Sequence, residues 1–200
     1  MTVLAHHLVW TAYGTWLGND PRGSGSRHVY TPALAALGEV HYGRRRIQPK
    51  RQVVHEFYQE AESRLQFPII CFSEQQFTVI AAAFAETIRN RHYTCYACAI
   101  MPDHVHLVIR KHRDTAEEMI EYFQVGSRQC LRSREIMPHD HPVWTLKGWH
   151  VFLDSTAAVR GRIRYVEGNP QKDGLPQQTW PFVVPYDNWP FHKMKLNRKR

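Results

Sequence analysis

The residues best suited to do chemistry in this sequence are two histidines separated by a single valine, His104-Val105-His106. Successive side chains of an extended strand point to opposite faces, so both imidazoles share one face and Val105 points to the other. The two rings are then about 7 Å apart along the strand, a spacing suitable for half of a divalent metal site. Because a catalytic metal commonly takes about three protein ligands, the third must come from another part of the chain.

A second candidate group lies further along the chain, where Tyr165 and Asn169 are four residues apart in a predicted helix. Residues at this spacing share a helix face. Tyr165 can serve as a nucleophile, and the side-chain oxygen of Asn169 can serve as a third metal ligand. Tyr122 is a rival nucleophile, but no amide side chain follows it one turn later. We therefore favour Tyr165.

Several of these residues also have an ordinary structural interpretation. A strand histidine is often a hydrogen-bonded core residue, and a helix tyrosine is often a half-buried ring. Asp103 and Glu167 could add metal ligands, but we interpret them as turn and surface residues. Cys95 and Cys98 lie in a predicted strand at an odd spacing, which sends their sulfurs to opposite faces. We interpret both as buried thiols rather than as half of a zinc site.

The pattern of apolar and turn-forming residues predicts the elements that must position these groups. Predicted strands cover 7–13, 92–100, 104–110 and 144–153, and the main helices begin at Ser73, at Asp114 or Thr115, and at Ser155. The last helix is expected to end at 168–170, because proline cannot continue it. This order is that of a ferredoxin-like split βαβ fold with an appended tyrosine-bearing helix. The sequence thus predicts an α+β protein whose antiparallel sheet carries the histidine pair on a central strand.

One domain is expected to span 1–192, followed by a basic tail at 193–200. A long insertion at about 19–72 follows the first strand and includes a predicted helix at 52–65. The first residues lack the basic segment of a signal peptide, and no stretch approaches the roughly 18 apolar residues that a membrane span needs. We expect a cytoplasmic protein without a membrane partner.

The charge of the chain favours a polyanionic partner. It has 26 Lys and Arg against 18 Asp and Glu, a formal net charge of +8 at pH 7. Basic side chains that neutralise phosphates release condensed counterions, which favours binding to nucleic acids.

Two motifs resemble those of a known family. The segment Met101-Pro-Asp-His-Val-His-Leu107 and the later Tyr165-Val-Glu-Gly-Asn-Pro170 resemble the IS200-like single-tyrosine transposases of the HUH endonuclease superfamily. The resemblance is closest to the branch associated with repetitive extragenic palindromes (REP). Two further segments, 144–154 and 16–23, also resemble that branch. The simpler insertion-sequence relatives have glutamine where this chain has Asn169, and the insertion at 19–72 has no counterpart in the minimal enzymes.

The resemblance implies an enzyme that is a transposase, a single-stranded DNA endonuclease and a strand transferase. His104, His106 and Asn169 would hold Mg²⁺ or Mn²⁺. Tyr165 would attack the scissile phosphate of single-stranded DNA and form a 5′-phosphotyrosine with a free 3′-hydroxyl. The same site could then rejoin a strand, because the covalent bond conserves the phosphodiester energy.

The implied partner is single-stranded DNA with a hairpin or palindrome, and the expected assembly is a monomer or a homodimer. The residues predicted to contact this DNA are Arg44, Arg45, Arg46, Arg162, Arg164, Lys172, Arg198, Lys199 and Arg200.

Three other function classes remain open from the sequence. A domesticated descendant would keep the fold and bind hairpin DNA without cutting it. An RNA-binding split βαβ domain would use aromatic side chains on an open sheet face. A metal-dependent hydrolase without a covalent step would need more carboxylate ligands than the motifs supply.

Overall fold

Four strands form one antiparallel sheet in the computed structural model, which describes residues 2–29 and 31–190. The strands are β1 (Ala5–Thr11), β2 (Cys95–Ile100), β3 (His104–Arg110) and β4 (Trp149–Leu153), and their order in the sheet is β2-β3-β1-β4. This is the order of the split βαβ fold, with β1 and β3 in the centre. The predicted fold class and the central position of the histidine strand are confirmed.

Six helices are present in the described residues, and side-chain caps fix the start of three of them. They are α1 (Pro32–Ala35), α2 (Arg51–Glu62), α3 (Glu74–Arg91), α4 (Ala116–Ser133), α5 (Thr156–Glu167) and α6 (Asn169–Lys172). Ser73 and Thr115 begin α3 and α4 with reciprocal capping boxes, and Ser155 accepts a hydrogen bond from the amide of Ala158. Each cap satisfies amides that the first helical turn leaves unpaired. The predicted helix starts are confirmed.

The two faces of the sheet are covered by different helices. On one face α3 and α4 enclose the larger core, where the Trp10 ring contacts Phe84 and Phe123. On the other face α5 packs against β2, β3 and β4. Alternation along β3 sends Leu107 into the larger core and His106 towards α5. We call these the α3/α4 face and the α5 face.

The connection into β4 differs from the prediction. A strand was expected from 144, but Trp144 forms only an isolated bridge with Ala12, and regular pairing begins at Trp149. Val143 and Lys147 adopt positive φ angles of 69° and 96°, which interrupt an extended chain. The strand prediction was therefore too long at its start.

The end of the tyrosine helix also differs from the prediction. Helix α5 stops at Glu167 and Gly168 caps it, but Pro170 does not end the helical structure. Proline lies in the first turn of α6, where its missing N–H removes no intrahelical hydrogen bond. Asn169 is therefore the first residue of a short second helix rather than a member of the tyrosine helix.

A β-bulge corrects the prediction for the cysteines. The pairing of β2 with β3 shifts between Cys95 and Ala97. The extra residue restores both Cys95 and Cys98 to the same side, so both pack in the larger core. Their predicted placement on opposite faces was wrong, and both remain free, buried thiols.

Part of the insertion packs into the body of the protein. Ile70 and Phe72 lie in the larger core, and Asn19 donates a side-chain hydrogen bond to the carbonyl of Leu34. In the part of the chain that the structure describes, no helix is long and apolar enough to cross a membrane.

Candidate active site

The histidine pair lies on the α5 face with its rings close together. The ring centroids of His104 and His106 are 4.7 Å apart, and the two planes are perpendicular. His106 is buried, whereas the His104 side chain keeps 16% of its surface exposed. Burial is the main cause that holds the pKa of His106 well below its ordinary value. A neutral imidazole of this kind keeps a lone pair that can bind a metal ion.

A carboxylate holds one nitrogen of His104. The Nδ1 atom of His104 is 2.6 Å from Oδ1 of Asp103, and the other oxygen of Asp103 accepts a hydrogen bond from Nε1 of Trp16 at 3.0 Å. Burial alone would raise the pKa of Asp103, but the hydrogen bonds with His104 and Trp16, together with the charges of His104 and Arg22, lower it. Asp103 is therefore a partner of His104 and not merely the turn residue that we predicted. Its contact leaves Nε2 of His104 available.

Residues of the insertion hold Trp16 in place. Its backbone amide donates to the hydroxyl of Tyr58 on α2, and the guanidinium of Arg22 lies 4.1 Å from its ring centroid. Arg22 and Tyr58 both bind the buried carboxylate of Asp20. The insertion thus contacts the histidine site through Trp16 and Asp103.

His7 on β1 is a site residue that the sequence analysis missed. Its Nε2 atom lies 3.0 Å from Nδ1 of His106, and the two rings stack with centroids 5.1 Å apart. Burial and the charge of Arg162 lower the pKa of His7 to about 3, so the ring is neutral. The pairing of Val9 with His106 brings His7 alongside, and this register is not visible in the local sequence.

Tyr165 projects from α5 onto the two buried histidines. Its ring meets His106 edge-on at 5.7 Å and His7 edge-on at 6.1 Å, measured between centroids, and 42% of its surface stays exposed. The rival, Tyr122, is on α4 and contacts the guanidinium of Arg91 at 3.4 Å from its ring centroid. Helix α4 covers the opposite face of the sheet, so the structure groups Tyr165 and not Tyr122 with the histidines.

Two of the predicted DNA-contacting cations border Tyr165. Arg162 lies 5.4 Å from its ring centroid and Lys172, from α6, lies 4.8 Å from it. Arg164 is not grouped with them, because it lines a separate groove with Tyr96 and Arg160.

The remaining predicted DNA contacts belong to the insertion and to the C-terminal tail of the sequence. Arg44, Arg45 and Arg46 are exposed in the insertion, two to four residues after Tyr42. The basic residues at 198–200 lie outside the described residues, so their predicted DNA contacts stay a prediction.

Asn169 has an unusual environment for an amide. Its Nδ2 atom is buried and has no hydrogen-bond partner. Nitrogen and oxygen of an amide are exchanged by rotation, so the oxygen can occupy the same position. Among the described residues no group of three or more His, Cys, Asp or Glu side chains is arranged to hold a metal ion.

The arrangement of the helices also bears on the RNA-binding alternative. Such a domain needs aromatic side chains on an open sheet face. Here α3 and α4 cover one face and α5 packs on the other, where β3 presents His104 and His106. The central strands therefore offer no aromatic stacking surface of that type within the described chain.

Comparison with known proteins finds similarity to solved transposase structures. One is a REP-associated tyrosine transposase bound to a REP hairpin, with 12% identity, a TM-score of 0.47 and coverage of 91% of this chain and 76% of that chain. Another is a provisionally assigned transposase from Deinococcus radiodurans R1, with 10% identity, a TM-score of 0.38 and coverage of 84% and 92%. No family model matches this chain, and neither does a curated protein. At these identities the similarity concerns the fold and assigns no activity.

Proposed function

We propose that this chain is a metal-dependent, single-tyrosine DNA transposase that nicks and rejoins single-stranded DNA at hairpin-bearing ends. The observation that carries the proposal is the position of Tyr165, whose half-exposed ring lies against His106 and His7 and is bordered by two cations. A nucleophile next to potential metal ligands and phosphate-binding cations is the combination that covalent phosphoryl transfer requires.

The donor set fits a hard divalent cation. Asp103 holds Nδ1 of His104, and His7 lies against Nδ1 of His106, so Nε2 of each ring is left for a metal. In this tautomer His106 donates its Nδ1–H to Nε2 of His7. The unpartnered amide of Asn169 would supply the third ligand. Bound there, Mg²⁺ or Mn²⁺ would polarise the scissile phosphate and offset the negative charge that develops on it.

Tyr165 would act as the nucleophile. A neutral phenol attacks weakly. Arg162 and Lys172 border the ring and would offset the negative charge that develops during the attack. The phenolate oxygen bonds to phosphorus while the bond from phosphorus to the 3′-oxygen breaks, and the 3′-oxygen takes up a proton to become a hydroxyl. The product is a 5′-phosphotyrosine. Attack by a 3′-hydroxyl reverses these steps and rejoins a strand.

The test is a search for the covalent adduct. The protein is incubated with labelled single-stranded hairpin DNA taken from the sequence that flanks its gene, with Mg²⁺ or with EDTA, and analysed on a denaturing gel. We expect a metal-dependent protein–DNA band with the wild type and with Tyr122→Phe, and no band with Tyr165→Phe.

Two results would contradict the proposal. A band that survives in Tyr165→Phe and disappears in Tyr122→Phe would move the nucleophile to α4. Tight hairpin binding without any band would support a domesticated, non-cleaving DNA-binding protein of the same fold.

A further inference from the structure

A groove of about 560 Å³ lies between the insertion and the segment that leads into β4. Its walls come from the loop after β1, from residues 25–29, Thr31, Leu34 and Tyr42 of the insertion, and from residues 145–149. Trp16 lines this groove and also bonds to Asp103, the partner of His104. The groove and the candidate active site therefore share a wall.

Two large aromatic rings are exposed at the groove. Tyr42 keeps 60% of its surface exposed and Trp149 keeps 49%. Backbone contacts fix the position of both residues. A parallel bridge to Ser24 holds Tyr42, and close contact of Gly148 with β1 fixes the start of β4, since a Cβ there would lie 2.3 Å from the carbonyl oxygen of Val9. Flat rings held rigidly at a surface are suitable platforms for stacking another planar group.

The charge around the groove selects an anionic ligand. Arg27 lies with its guanidinium 4.6 Å from the ring centroid of Tyr42, and Lys147 is on the opposite wall. Among the described residues that line the groove there is no Asp or Glu. Planar apolar platforms with cations and without carboxylates are the features that bind single-stranded nucleic acid.

The register of the sheet relates this groove to the histidines. Val9 pairs with His106 on one side and with Trp149 on the other. Residues that are directly opposite in an antiparallel sheet point to the same face, so Trp149 and His106 share the α5 face. Their backbones are separated by two strand spacings, about 10 Å. A nucleotide stacked on Trp149 would thus adjoin a phosphate held by the histidines.

We infer that this groove binds an unpaired base of the DNA strand beside the scissile phosphate, with Trp149 as its stacking platform and Arg27 and Lys147 as contacts to the flanking phosphates. This inference rests on the proposed function and gives the insertion a role in selecting the cleavage site. The insertion supplies Tyr42 and Arg27, while the body of the protein supplies Trp149 and Lys147.

The experiment measures equilibrium binding with the full chain carrying Tyr165→Phe, so that cleavage does not interfere. Fluorescence anisotropy is recorded with a labelled DNA hairpin that bears unpaired flanks and with the same hairpin without flanks. We expect Trp149→Ala to weaken binding of the flanked hairpin about tenfold and to leave the blunt hairpin unchanged. Tyr42→Ala should act in the same direction, and Trp149→Phe should restore most of the affinity.

The matched control is Phe152→Ala. Phe152 is on the same strand as Trp149 and is 58% exposed, but its ring contacts His6 and His150 on the other face of the sheet. Its loss should change neither affinity. Thermal denaturation of each variant verifies that the fold is retained.

Abasic substitutions locate the base. The bases of the flanks are removed one at a time. With the protein that keeps Trp149, one abasic position should weaken DNA binding as much as Trp149→Ala does. That same abasic site should have no further effect in Trp149→Ala. Equal effects of Trp149→Ala on flanked and blunt hairpins, or additive effects of the two changes, would overturn the inference.

Two further outcomes separate this inference from the proposed function. If the protein with Tyr165 intact forms the adduct while Trp149→Ala binds and cleaves normally, the groove assignment fails and the transposase proposal stands. If the effects of the abasic site and of Trp149→Ala are non-additive as expected but no adduct forms, the groove assignment stands and the cleavage proposal fails. Trp149-dependent binding of an RNA hairpin in preference to the DNA one would overturn the assignment to DNA.

Discussion

The two faces of the sheet are built from the same strands but bury different kinds of side chain. On the α3/α4 face, Leu107 and its neighbours fill an apolar core under two helices that begin with capping boxes. On the α5 face, His7 and His106 are buried against each other, and Asn169 is buried without a partner for its amide nitrogen. Burying polar groups without full hydrogen bonding costs stability, and such sites are often functional. The α3/α4 face therefore contributes mainly to the stability of the fold, whereas the α5 face combines a smaller apolar cluster around Val108 and Val159 with the buried polar site.

Truncation of two adjacent residues of β3 should affect chemistry on one face and stability on the other. His106→Ala should slow adduct formation about a thousandfold, because metal binding supplies several kcal/mol of transition-state stabilisation. Leu107→Ala should instead lower the free energy of unfolding by about 2–5 kcal/mol. Single-turnover adduct assays and denaturant titrations measure the two effects. If His106→Ala destabilised the fold as much as Leu107→Ala and left the chemistry of the folded fraction intact, the distinction between the faces would be wrong.

A smaller effect separates two adjacent histidines of β1. His7→Gln should weaken Mn²⁺ binding about 10–100-fold, because His7 holds the tautomer and orientation of His106. His6 is on the other face, where its ring contacts His150 and Phe152, so His6→Gln should leave the metal affinity unchanged. Isothermal titration with Mn²⁺ measures both without any DNA. Equal affinities for wild type and His7→Gln would remove His7 from the site.

The caps of the α3/α4 face offer a test of stability without chemistry. Thr115→Ala removes the hydroxyl that accepts the amide of Glu118, and should cost about 1 kcal/mol of unfolding free energy. The adduct rate per folded molecule should stay the same, because α4 does not contact Tyr165. Urea denaturation and the adduct assay check the pair of expectations, and a large loss of rate would show that the two faces are coupled.

The smallest expected effect is a pH dependence on the α3/α4 face. Burial lowers the pKa of His6, with a further decrease from His150 and Lys111 that Glu117 partly opposes. The unfolded chain therefore binds a proton at His6 more readily than the folded chain, and stability falls as the pH drops below about 6.5. His6→Gln should make the fall between pH 7 and pH 5 shallower. Urea titrations across this range measure it, and an unchanged slope would contradict the assignment.

The sequence predicted the elements better than the contacts between them. The bounds of β3 and the caps at Ser73, Thr115 and Ser155 follow from local patterns, and all are confirmed. The start of β4 does not, because Lys147 adopts a positive φ angle that its residue type does not favour. Local pattern determines where an element begins only where local forces dominate.

The site was predicted only in part, for a physical reason. His104, His106 and Tyr165 were predicted as site residues from their spacing and from the family resemblance, whereas the contacts of His7 and Asp103 appear only in the folded chain. His7 needs the register of β1 with β3, and Asp103 needs Trp16 from the other end of a loop. The sequence already favoured Tyr165 over Tyr122, and the position of α4 on the opposite face adds an independent reason.

The hydrogen bonds that hold Trp16 restrict how the sequence of this protein can evolve. Tyr58 on α2 bonds to Trp16, Trp16 bonds to Asp103, and Asp103 bonds to His104. Recombination therefore cannot replace the insertion freely, since a new insertion must provide the same hydrogen bond to Trp16. Substitutions at Tyr58 should be epistatic with substitutions at Asp103, although 45 positions separate them in the chain.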